Sequence, residues 1–222
     1  MSGKFMQSAT RGEVRLPPLG LPGTLDIPRD AQGLVLFAHG SGSSRFSPRN
    51  IHVANALREA GFGTLLFDLL IEEEADSRSH VFDIELLAGR LSMAADWLVT
   101  QPPAAALPLG LFGASTGAAA ALVSAARAPD MFRAVVSRGG RPDLAGSALR
   151  RVTAPTLLIV GGHDFEVLSL NQAALAELRC TKALEIVPGA THLFEEQGAL
   201  DRVIELARDW FLAYLRSSEV TF

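Results

Sequence analysis

"GLFGASTGAAAA", residues 110–121, places Ser115 between Gly113 and Gly117 and follows it with four alanines. An Ala/Gly-rich helix packed tightly on a sheet would account for the small residues. So would a backbone that turns too sharply at Ser115 for larger neighbours to fit. The flanking segments favour the second account. The apolar "PLGLFGA" (108–114) reads as a buried strand, and "TGAAAALVSAARAPDM" (116–131) reads as the helix that follows it. A strand passing into a helix through G-x-S-x-G is a nucleophile elbow, which lifts a serine hydroxyl above the sheet and aims helix amides at it.

Working outward, the same alternation recurs. "GLVLFAHG" (33–40) and "GTLLFDLL" (63–70) are short apolar runs bounded by glycine, separated by "PRNIHVANALREAGF" with helical spacing. This predicts a strand–helix–strand unit of the parallel kind. A long amphipathic helix is expected over 81–103, ended by Pro102 and Pro103, and further strands at 132–140, 154–164 and 182–192. Helices are expected at 168–180 and 198–218, and an antiparallel hairpin within the first thirty residues. The pattern predicts one domain spanning residues 1–222, an α/β fold with a doubly wound, mostly parallel sheet and helices on both faces. Such sheets bind ligands at the carboxyl ends of their strands.

A serine needs a base to take its proton, and the base needs an acid to orient it. "LLIVGGHDFEV" puts Asp164 just past a strand, and "IVPGATHLFEE" puts His192 in the loop after the next. The chain order Ser, Asp, His is the one used by serine hydrolases of this architecture. Glu166 is a weaker alternative to Asp164, while Glu195 and Glu196 lie too near His192 in sequence to orient it. A tetrahedral intermediate needs two N–H donors. Thr116, next to the serine, offers one amide, and Ser41 in the Gly-rich "FAHGSGSSRFSPRN" (37–50) offers the other, with Gly42 next.

The ensemble "HGSG", "GASTG", "GGHD" and "GATHLFEE" resembles the α/β-hydrolase superfamily, and is most similar to small dienelactone-hydrolase-like proteins and carboxylesterases. The likeness runs over roughly residues 14–215. It implies Ser115 as nucleophile, Asp164 as acid, His192 as base, and the Ser41 and Thr116 amides as the oxyanion hole. Dienelactone hydrolases carry cysteine at the nucleophile position; serine there points instead to plain ester hydrolysis. Only "SRGGRPDLAGSALRRVTAP" (137–155) occupies the place where relatives insert a helical cap, so no cap domain and an open site are expected. An open site favours esters with short acyl chains. Thioesterases, lactonases and peptidases share the acyl-enzyme chemistry, and a non-catalytic binding protein of the same fold would have no need of all three residues.

Candidate pocket walls are Phe46, Leu70, Leu168 and Phe194, each also a plausible core residue, and Arg138, which with Arg45 and Arg141 follows a strand end. These arginines could hold a carboxylate or simply form ion pairs. His39 reads as structural, as does His163, and the acidic "IEEEADSRSH" (71–80) as a solvated loop. The chain has 222 residues, 48% hydrophobic and 20% charged, with net charge −4, which leaves no basic footprint for nucleic acid. No run of apolar residues is long enough for a membrane span, and no leader is visible, so a cytoplasmic location is expected. One cysteine, Cys180, excludes an internal disulfide. No histidine pair has zinc-site spacing, the glycine-rich turns lack a phosphate-cradle ending, and neither metal nor other cofactor is expected. The expected partner is a small-molecule ester, with no oligomeric state specified.

Overall fold

The computed structural model describes residues 8–215. Its first elements are β1 (Ser8–Leu16) and β2 (Leu21–Pro28), an antiparallel hairpin turned at Gly20 with φ +70°. Then follow β3 (Leu34–Ala38), α1 (Pro48–Glu59) and β4 (Gly63–Phe67), the strand–helix–strand unit expected from residues 33–70. After β4 come two short helical turns, α2 (Glu72–Ala75) and α3 (Arg78–Val81), and then α4 (Ile84–Leu98). The remaining elements are β5 (Leu109–Ala114), α5 (Thr116–Arg127), β6 (Phe132–Arg138), β7 (Thr156–Gly161), α6 (Phe165–Glu177), β8 (Lys182–Val187) and α7 (Ala199–Tyr214).

The strands form one eight-stranded sheet in the order β1-β2-β4-β3-β5-β6-β7-β8. β2 pairs antiparallel with β4, and every pair from β4 to β8 is parallel. β3, β4, β5 and β7 are buried at every residue. That is why their sequences are unbroken apolar runs rather than alternating ones. Two separate apolar clusters lie on the two faces. One holds Leu36, Leu111 and Val135 of the sheet with residues of α4 and α5, and the other holds Phe37, Phe112 and Val136 with residues of α1 and α7. This is the doubly wound arrangement that the alternating pattern predicts.

Some segments differ from the expectation in detail. The acidic stretch 71–80 is not an open loop but the turns α2 and α3. Glu74 secures it by accepting the Ile71 amide at 3.2 Å and pairing with Arg90 at 2.7 Å. The short connection after β6, as expected, carries no cap over the sheet; it forms two 3-10 turns within Pro142–Arg151, separated by a kink at Gly146 with φ +52°. Helix 168–180 begins three residues earlier, because the tight turn from Gly161 to Asp164 leads straight into α6, the Asp164 carbonyl accepting the Leu168 amide at 2.8 Å.

Candidate active site

Ser115 sits at φ +52°, ψ −122°, between the last residue of β5 and the first of α5. A non-glycine residue with positive φ stores about 1–3 kcal/mol of strain, so the surroundings must hold it there. They do so through its backbone. The Ser115 amide donates to the Arg138 carbonyl at 3.3 Å, and its own carbonyl accepts from Ala118 and Arg141, each at 3.1 Å. The flanking glycines are obligatory. A Cβ at Gly113 would fall on the Ala118 backbone, and one at Gly117 on the carbonyls of Ala38 and His39. A Cβ at Gly40 would lie 2.9 Å from the Ser115 Cβ. The small residues of "GLFGASTGAAAA" therefore make room for the turn and let β3 and α5 close around it. The alanines serve packing as well, since α5 is buried from Thr116 to Ala125.

Asp164 and His192 follow β7 and β8 and are directly paired. His192 Nδ1 lies 2.7 Å from Asp164 Oδ2, with the carboxylate side chain 15% exposed and the imidazole 39%. Ser115 leaves β5 and His192 leaves β8, three strands away, a lateral span of roughly 14 Å at sheet spacing. The β8 loop closes that span by folding back across the sheet. It passes over Gly161 at the end of β7, where a Cβ would lie 2.6 Å from the Thr191 carbonyl. It then reaches Gly139, where a Cβ would lie 3.1 Å from the His192 carbonyl and 3.6 Å from His192 Nδ1. Gly139 adopts φ +50° and directly follows Arg138, whose carbonyl holds the Ser115 amide. The loop is itself clamped: Glu196 accepts from the Thr191 hydroxyl at 2.6 Å and its amide at 3.1 Å. Those hydrogen bonds hold the Glu196 carboxyl below the usual range. Glu195 pairs with Arg49, and Glu166, in the first turn of α6, makes no bond to His192, leaving Asp164 as its partner.

The turn after β3 is also braced. The Arg45 amide donates to Asp68 Oδ1 at 2.7 Å, and its guanidinium pairs with Asp68 and Glu13 while lying 3.9 Å over the Phe46 ring. Arg45 is thus spent on ion pairs. Arg141 likewise makes a two-pronged bond to Asp143, which raises its pKa. His39 Nδ1 donates to the Gly40 carbonyl and its Nε2 accepts the Leu69 amide, so both ring nitrogens serve the fold. Burial lowers its pKa, which suits this neutral tautomer. At the oxyanion position one feature departs from expectation. The Ser41 amide is not open to a ligand; it donates to the Thr116 hydroxyl at 2.9 Å.

A cavity of about 590 Å³ opens beside this turn, between His39–Ser44 and the segment after β4. Leu19, Pro22, Leu69, Leu70 and Val81 give it an apolar floor, with Arg15 and Glu72 also in its wall. Of the five residues expected to wall a pocket, Leu70 lines it. Phe46 is 60% exposed and stays outside beneath Arg45. Phe194 is 2% exposed, a core residue under the His192 turn, and Leu168 is half-buried on α6 away from the cavity. Arg138 is buried with its Nη2 donating to Asn50 at 3.3 Å and its guanidinium 6.0 Å from the Phe194 ring. Burial first, and then the like charge of Arg49, bring its pKa down to about 10. Sequence reasoning missed Gly139, Gly161, the Thr191–Glu196 clamp and the Asp68 brace. Only the glycines carried a signal, as conspicuous pairs at 139–140 and 161–162.

Comparison with known proteins places this architecture. The family model for the dienelactone hydrolase family matches residues 21–211. The chain belongs to the dienelactone hydrolase family. A crystal structure of a dienelactone hydrolase from Anabaena variabilis ATCC 29413 is 56% identical, covering 95% of this chain and 99% of that one, with a TM-score of 0.89. Est1E from Butyrivibrio proteoclasticus shares the fold with a TM-score of 0.75 at 16% identity, over 92% of this chain and 98% of its own. Two proteins of Mycobacterium tuberculosis, provisionally named phosphoribosyl transferases, are 60% identical over 198 residues. The match takes in 89% of this chain but 45% of theirs, so the chain spans about half the length of those relatives. The chain has the α/β-hydrolase fold of this family. Among the described residues, no helix is long and apolar enough to cross a membrane, and no cluster of three or more His, Cys, Asp or Glu residues could hold a metal.

Proposed function

We propose that this family member is a serine hydrolase of carboxylic esters, short acyl chains favoured, working through an acyl-enzyme on Ser115. The observation that carries the reading is the His192–Asp164 pair at 2.7 Å, delivered by a loop that rests on the peptide next to the strained serine. With Nδ1–H donated to Asp164, the imidazole presents Nε2 as an unprotonated base. Nε2 takes the Ser115 proton as Oγ forms a bond to the ester carbonyl carbon. The electron pair displaced onto the carbonyl oxygen is met by donors at the α5 N-terminus, where the helix dipole also favours negative charge. The imidazolium returns its proton to the leaving alcohol as the carbon–oxygen bond breaks. Water then attacks the acyl-enzyme by the same path in reverse and restores the serine.

The apolar cavity is read as the seat of the bulkier part of the ester, its volume lying within the range of ordinary ligand pockets. The transferase name of the mycobacterial relatives belongs to proteins more than twice the length of the matched segment, and the model that matches residues 21–211 of this chain is that of a hydrolase family. The test is turnover of p-nitrophenyl esters from acetate to decanoate by wild type and Ser115→Ala, with fluorophosphonate labelling of both. Labelling and hydrolysis by wild type alone support the reading. Undiminished hydrolysis by Ser115→Ala overturns it.

A further inference from the structure

The Ser41 amide and the Thr116 hydroxyl join the two halves of the expected oxyanion hole by a 2.9 Å hydrogen bond. An amide has one proton, and this one is already donated. Thr116 Oγ1 accepts it and, among the described residues, makes no other hydrogen bond, so the hydroxyl proton has no acceptor. The residue is 3% exposed, and a hydroxyl left undonated in such a place is unfavourable until an acceptor arrives. In the staggered rotamers of threonine that bring them gauche, Oγ1 and the residue's own nitrogen lie about 3 Å apart. Thr116 is also the first residue of α5, where the amide has no partner within the helix.

From this we infer that Thr116 supplies the oxyanion hole twice, through its amide and through its side-chain O–H, with the Ser41 amide acting from behind the hydroxyl. Accepting the Ser41 proton polarises the hydroxyl and strengthens it as a donor, as in any hydrogen-bond chain inside a protein. The hydroxyl is held in place by the same bond, and the turn carrying Ser41 is held by the Asp68–Arg45 brace. When negative charge develops on the substrate carbonyl, the donor is oriented and has no partner to give up. The closeness of β3 to α5, enforced at Gly40 and Gly117, is what lets residue 41 reach residue 116.

This inference rests on the serine-hydrolase reading, and its test keeps the two separable. Thr116→Ser and Thr116→Ala both lose the γ-methyl and differ only in the hydroxyl; Thr116→Val keeps the branched shape and loses the hydroxyl. Steady-state kinetics on p-nitrophenyl acetate are measured with Ser115→Ala in parallel, together with inhibition by a trifluoromethyl ketone, whose serine adduct carries the oxyanion. The expected result is kcat lowered about 10²-fold in the Val and Ala variants, KM within threefold of wild type, and ketone affinity lowered by a factor like that in kcat. Thr116→Ser should stay within fivefold of wild type. A Thr116→Ala variant as active as Thr116→Ser overturns the inference, and so does a Thr116→Val enzyme with unchanged or higher kcat, which would make the hydroxyl a plug on the Ser41 amide. If Ser115→Ala is inactive in those cases, the parent reading stands and only this step fails; if Ser115→Ala is active, both fail.

Discussion

Asp164 accepts the Nδ1 proton of His192 at 2.7 Å from a position only 15% exposed, while the imidazole it orients is 39% exposed. In the proposed mechanism the sheltered Asp164 orients and the more exposed His192 moves the proton. Replacing Asp164 by Asn keeps the shape but offers His192 an N–H as readily as an oxygen, so the imidazole loses its tautomer. The expected loss in kcat is about 10²–10⁴-fold, with circular dichroism and thermal midpoint close to wild type. A variant that keeps full kcat would show that the pair is structural.

Gly161 is a second sensitive point, although it lies outside the proposed triad. A Cβ there would lie 2.6 Å from the Thr191 carbonyl and closer still to that of Ala190. The β8 loop must lift to admit it, and His192 moves with the loop. Gly161→Ala is expected to lower kcat by about 10²-fold, the usual consequence of a misplacement near 1 Å. Overpacking should also cost about 1–3 kcal/mol of stability. Urea titration beside kinetics separates the two effects. Wild-type kcat in this variant would mean that the loop does not need to rest on β7.

Much of this site was legible because its elements are local in sequence. "GLFGASTGAAAA" announces a strand, a turn and a helix within twelve residues, and the clash at Gly113 involves Ala118 only five positions on. Asp164 and His192 each end an apolar run, so their placement above the sheet follows from topology. What stayed hidden depends on contacts distant in sequence. The Ser41–Thr116 bond joins residues 75 apart, and nothing near Ser41 signals that its amide is already spent. Phe194 misled for a related reason. An aromatic two residues after the candidate base suggests a pocket wall, but the loop turns at φ +55° and sends that ring into the apolar cluster on the α1 and α7 face of the sheet.

The cavity floor offers a test of substrate placement. Leu70 lies beneath it, 8% exposed, with Leu69 and Val81 beside it. Leu70→Trp adds volume into the open space rather than into packed core. Turnover of esters with bulky alcohol or acyl groups should fall at least tenfold relative to acetate esters of a small alcohol, read as the ratio of kcat/KM values. An unchanged ratio across the ester series would move the substrate out of this cavity.

Stability should respond to acid through His39. Its Nδ1–H and Nε2 are both committed, to the Gly40 carbonyl and the Leu69 amide, and a protonated ring could no longer accept from Leu69. Burial holds the folded pKa below the ordinary 6.5. As the pH falls through 6.5 the unfolded chain takes up the proton and the folded chain does not, so stability declines from there down to the folded pKa. The slope from one such group is at most about 1.4 kcal/mol per pH unit. His39→Asn should flatten that part of the profile, even if it lowers stability at pH 7 by removing the Leu69 acceptor. The decline attached to Glu196 has the same sign but belongs below its ordinary 4.5, where protonation releases the Thr191 clamp. Chemical denaturation at intervals from pH 7.5 to about 3 distinguishes the two windows. A wild-type profile that stays flat as the pH falls through 6.5, or one that keeps its slope in His39→Asn, would show that the turn after β3 tolerates a charged imidazole.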